Sequence, residues 1–180
     1  MENVEFLILR NLLHNEEYVR KVIPFIKGEY FEDIKQKVIF EEISKFVGQY
    51  NQPATKEILC IEIEKRSDIN DSSFKDITDT VAALVDDPAD FDWLVNTTEK
   101  WCRDRAIYLA LLESISLADG KDETQNRDAI PTILSDALSV SFDTHIGHDY
   151  LNDYEERYES YHRKEDKIEF DLEYFNKITK

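Results

Sequence analysis

Along most of the chain, apolar side chains recur every three or four positions, the spacing that gathers them onto one face of an α-helix. VEFLILRNLLHN (residues 4–15) has this character, and Asn15 can cap a following helix over EEYVRKV, whose two early glutamates suit a helix N-terminus. After Pro24 and Gly28, the run EDIKQKVIFEEISKFVGQY places Ile34, Val38, Ile39, Ile43, Phe46, Val47 and Tyr50 in helical register. Thr55 is the expected cap of KEILCIEIEKR, in which the alternating IEIE is read as helix because of its flanks. A loop at 67–71 precedes SSFKDITDTVAALVDD, with Phe74, Ile77, Val81, Leu84 and Val85 on one face. Asp87-Pro88 then predicts a helix start, a capping aspartate followed by proline in the first turn.

No breaker interrupts the chain between Pro88 and about Ala118, a rod of roughly 45 Å at 1.5 Å per residue. GKDETQN is a polar turn, and Asp128 and Pro131 open a further helix, PTILSDALSVSF. The expected organisation is an all-α bundle over 1–87, from which a long helical hairpin projects over 88–142. The hairpin's apolar set is Trp101, Ile107, Tyr108, Leu111, Leu112, Ile115, Ile133, Leu134, Ala137 and Leu138. Two arms bury only one face each against one another. A second copy of the chain could cover the surplus, or the hairpin could fold back on its own bundle.

Residues 143–166 form a linker and a linker helix. In DYLNDYEERYESYHRK, Tyr150, Tyr154, Tyr158 and Tyr161 fall at i, i+4, i+8 and i+11, with Leu151 beside them. Phenols offer large contact area with a polar tip, which suits docking between subunits, although the stripe could also pack on its own bundle. In the last stretch, 167–180, Ile168, Phe170 and Leu172 alternate as in an extended segment with no partner strand in sight.

Composition narrows the function. A hydrophobic content of 42% supports a core, and four glycines and four prolines favour helices over hairpins and sheets. The net charge of −17 repels phosphate backbones, so little direct DNA binding is expected and basic protein surfaces are the favoured partners. Seven aspartates against Lys75 alone lie between Asp71 and Asp92. Asp76, Asp79, Asp86, Asp87, Asp90 and Asp92 make up a candidate acidic partner patch, beside the plainer reading of a solvated surface. Cys60 and Cys102 form no pairing framework and read as reduced thiols in the core of a cytoplasmic protein. No apolar run is long enough to span a bilayer, and no membrane association is expected.

Candidate chemistry is sparse. There is no G-x-x-x-x-G-K-[ST] phosphate loop and no G-x-S-x-G, and GKDE at 120–123 lacks both the cradle and the hydroxyl. Asp143, His145, His148 and Asp149 are the densest set of potential metal ligands, but a solvated linker explains them better. No catalytic, cofactor or metal residue is assigned.

Longer stretches carry a resemblance. EYF at 29–31, DDPADFDWLVNTTEKWCRDRA at 86–106, AIPTILSDALSVSFDTHIGHDYLNDYEERYESY and the terminal FNKITK resemble, in that order, the DnaB-like hexameric replicative DNA helicases of T-even-type phages. The resemblance implies a helical N-terminal bundle whose hairpins pair between subunits into a collar, here Trp101 to Leu117 and Ile130 to Leu138. It implies a linker helix, Tyr150 to Tyr161, docking on the ATPase domain of a neighbouring subunit, and Lys167 to Lys180 as the opening of an ATPase domain that is otherwise missing. The chain is thus expected to be the non-catalytic collar and docking part of a replicative helicase, acting in the cytoplasm of the infected bacterial host. Its expected partners are itself, as homodimer or as hexamer in the full-length helicase, a primase or helicase loader, and the neighbouring ATPase domain. ATP and Mg belong only to the missing domain. The alternative is a free-standing all-α regulator or adaptor that binds a replicative helicase.

Overall fold

The computed structural model describes residues 4–120 and 126–142, together with Tyr158 and His162. The described residues form seven α-helices and two short 3-10 turns and contain no strand. The helices are α1 (Val4–His14), α2 (Glu16–Val22), α3 (Ile34–Tyr50), α4 (Lys56–Glu64), α5 (Asp71–Ala83), α6 (Phe91–Ala118) and α7 (Ile130–Leu138).

Local chemistry accounts for most of the boundaries. Asn15 accepts the Tyr18 N–H at 3.0 Å and starts α2, and Thr55 accepts the Ile58 N–H to start α4. Asn70 caps α5 by accepting the Ser73 N–H at 2.8 Å. At the end of α3, Asn51 turns into the left-handed region (φ 52°, ψ 35°) and returns its N–H to the Val47 carbonyl. IEIE is helical: Leu59 and Ile63, four apart, are fully buried while Ile61 faces solvent.

The core forms where α1 packs on α2, α3 and α6, while α3 in turn packs on α4 and α5. Ile8, Leu9 and Leu12 of α1 meet Ile39 and Ile43 of α3 in one buried cluster with Leu94 and Cys102 of α6. Inside it, Tyr18 and Thr98 share a 2.6 Å hydrogen bond, and Thr98 donates its own proton to the Leu94 carbonyl. One hydroxyl carries one proton, so Tyr18 must be the donor of the shared bond.

Three sequence expectations need adjustment. The long helix starts at Phe91, capped by Asp90 on the Trp93 N–H at 2.9 Å, and not at Pro88. Asp87 is drawn instead into an ion pair at 3.2 Å with Arg10 of α1, a side chain almost wholly buried. The last arm ends at Leu138 rather than Phe142. Finally, the chain does not divide at residue 88. Leu94, Val95, Thr98 and Cys102 are buried, so the first turns of α6 belong to the bundle and only its later turns form a hairpin with α7.

The chain divides after Phe142, where the linker was expected to begin, into units Met1–Phe142 and Asp143–Lys180. In the second unit, Tyr158 and His162 are helical, one turn apart. Their rings stack at 4.0 Å, and His162 Nδ1 lies 2.7 Å from the Tyr158 carbonyl. Tyr150, Leu151, Tyr154 and Tyr161, the extended stretch 167–180, and the set Asp143, His145, His148 and Asp149 lie outside the described residues.

Candidate interaction surface on α6 and α7

The later half of α6 has two faces of different character. Ala106, Ala110, Ser114 and Leu117 recur at helical spacing, are buried, and face α7, which contributes Ala137. Small side chains on this seam let two helix backbones approach closely. Polar contacts hold α7 in register at both ends. Arg103 donates to the Val140 carbonyl at 3.0 Å and to Glu99 at 2.9 Å, and Glu99 also accepts the Ser141 hydroxyl. At the far end, Arg127 donates to the Leu117 carbonyl. Phe142 then stacks on Phe25 at 4.8 Å and anchors the returning arm to the bundle.

The other face carries Tyr108, Leu111, Leu112 and Ile115 at i, i+3, i+4 and i+7. With Leu138 of α7 they are between 47% and 64% exposed. Four large apolar side chains thus form one continuous exposed stripe on α6. Tyr108 is held from one side by the Arg105 guanidinium, 5.0 Å from its ring centroid. Arg105 is itself fixed by the Tyr30 carbonyl at 2.7 Å and the Glu32 carboxylate. The remaining nominated positions are not free in the same way. Trp101 packs edge-on to Tyr30 and Phe31, and Ile107, Ile133 and Leu134 rest on the chain's own core. Their apolar character was legible in the sequence, but nothing local distinguished a side chain covered by its own bundle from one left open.

A groove of about 250 Å³ at the root of the hairpin was not foreseen. Its floor is Ala106, Ala110 and Ala137, with Lys27, Glu29 and Glu113 among its lining residues. Only the small residues on the seam hinted at it.

The acidic positions have separate fates. Asp76 pairs with Lys35 at 3.1 Å, Asp87 with Arg10, and Asp90 caps α6, while Asp79, Asp86 and Asp92 are exposed. Three of the six thus have a structural task that a solvated aspartate would not. Among the described residues no group of three or more His, Cys, Asp or Glu side chains could hold a metal ion. No described helix is long and apolar enough to cross a membrane.

The described residues form the all-α fold that the sequence resemblance implied. The chain is 35% identical over 182 residues to the DnaB-like replicative helicase of Enterobacteria phage T4. It resembles part of a phage replicative helicase. The match takes in 97% of this chain, so the bundle and the α6–α7 hairpin both fall within it, yet the chain spans only 38% of the relative's length. No protein-family model matches the chain. The chain contains no phosphate-cradling loop in its 180 residues.

Proposed function

We propose that this chain serves DNA replication as the non-catalytic oligomerisation and partner-docking portion of a phage replicative helicase. The observation that carries the reading is the exposed stripe Tyr108, Leu111, Leu112 and Ile115, flanked by Leu138, on helices whose other faces are already packed. A two-fold arrangement would bring the stripes of two copies together, since the same patch then serves both partners. Higher rings would build on such pairs. In the same reading Tyr150, Leu151, Tyr154, Tyr158 and Tyr161 dock on the ATPase domain of a neighbouring subunit, where ATP and Mg would act. A primase or helicase loader engages the outside of the bundle, and the acidic surface keeps DNA off it.

The test is mass in solution. Light scattering should give particles at twice or more the 21.2 kDa of one chain. A chain that stays monomeric up to roughly millimolar concentration, where even contacts worth only ~4 kcal/mol become populated, would reject the reading.

A further inference from the structure

The first turn of α3, the loop before α5 and the inner face of α5 enclose a groove of about 470 Å³, whose lining also includes Glu32, the partner of Arg105 of α6. Its floor is apolar, made by the buried Val38 and Ile77 with the half-buried Ile69. On its lip stands Ile34, 76% exposed at the first position of α3, an isoleucine that contributes almost nothing to the fold. The volume falls in the range of about 300–1,000 Å³ typical of sites that bury a ligand.

The lip is acidic. Asp33 accepts the Lys35 N–H at 2.8 Å as the cap of α3 and makes no ion pair among the described residues. Asp68 also lines the groove, with both carboxylate oxygens accepting from Arg66 at 2.9 and 2.7 Å, and Arg66 is in turn shared with Glu41 and Glu42. Lys35, the one cation among the lining residues, is taken up by Asp76. The cations here are outnumbered by their own carboxylates, within a chain of net charge −17. Such a field attracts a cationic partner and repels an acidic one. A second copy of this chain would bring the same carboxylates to the groove, so self-association through this surface is opposed.

We propose that the groove docks a short cationic segment of a different protein, with one bulky apolar side chain seated between Ile34 and Ile77 and Lys or Arg residues facing Asp33 and Asp68. The proposal rests on the partner-docking half of the reading above and names where and by what chemistry that partner is held.

The probe is a ten-residue peptide with one central Leu flanked by Lys, alongside versions with Glu for every Lys or Ser for the Leu. Titrated into the full chain, the Lys/Leu peptide should shift the amide resonances of Ile34, Ile69 and Ser73, and the two control peptides should not. Ile34→Ser removes the lip anchor at an exposed site, and Asp33→Asn removes the charge while keeping a good helix cap. Each should weaken the peptide by about tenfold, the loss expected of one anchoring contact. Undiminished binding to both variants, equal binding of the Glu peptide, or no binding at all would overturn the proposal. So would a drop in solution mass on Ile34→Ser, which would make the groove a contact between copies. The outcomes separate cleanly from the collar reading, which fails on the mass of the unaltered chain whatever the peptide does.

Discussion

Replacing Leu111 and Leu112 together by glutamate tests the stripe most directly. Both leucines are 47% exposed in the single chain. Full burial of a leucine contributes about 1.5–3 kcal/mol, so covering the exposed half of each is worth about 1 kcal/mol. In a two-fold pair each residue is used twice, and the four side chains together contribute about 4 kcal/mol. At 1.4 kcal/mol per factor of ten, their loss weakens the dimer about a thousandfold, before the cost of desolvating four carboxylates is added. A pair with micromolar affinity therefore becomes monomeric at every practical concentration. The assay is sedimentation or light scattering across a dilution series, with thermal melting as the control. Because both sites face solvent, the single-chain fold should change by no more than about 0.5 kcal/mol per site. A variant that melts normally and associates as tightly as the unaltered chain would show that the stripe is not the interface.

The buried hydroxyl pair makes a second prediction. Thr98→Val strands the Tyr18 O–H in the core and should cost about 1–3 kcal/mol, more than Tyr18→Phe, which leaves Thr98 still donating to Leu94. In the double variant the two losses should add to less than their sum, and strict additivity of the melting shifts would contradict the assigned donor. A third concerns alkaline pH. Burial, with the Glu99 charge behind it, pushes the Cys102 thiol from 9.0 up to about 12, and burial pushes Tyr30 from 10.0 to about 12. The native state thus keeps protons that the unfolded chain releases, so stability falls as pH climbs from about 9 towards 12. Thermal melts should show that fall, and Cys102→Ala should flatten its slope; a melting temperature unchanged over this interval would refute it. In the same samples an Ellman-type reagent should reach the half-buried Cys60 before Cys102, which should react only on unfolding.

The parts of this fold that were legible in the sequence are those set by near neighbours. Asn15 and Thr55 announce α2 and α4 because a cap acts on an N–H three residues away, and the spacing of Leu59 and Ile63 overrides the strand-like IEIE. What distant residues decide was not legible. Asp87 has the chemistry of a helix cap, but Arg10, 77 positions earlier, takes it, and Asp90 caps α6 instead. Trp101 and Leu111 look alike as apolar positions on one helix. Tyr30 and Phe31, some 70 residues before, cover the first, while about half of the second stays exposed. The stripe itself was readable from periodicity, whereas the groove under Ile34 was not, since it is bounded by residues from 32 to 77 that only the folded chain assembles.

The continuity of α6 has a mechanical consequence. Its 28 residues make a single rod about 42 Å long, with Thr98 and Cys102 gripped in the bundle and Ile115 near the free end. Such a rod works as a lever with its fulcrum in the core. A tilt of about 5° about that grip sweeps the far end, roughly 27 Å away, through about 2 Å. Repacking around Tyr18 and Thr98 too small to disturb stability would therefore change the angle at which the bundle presents the stripe.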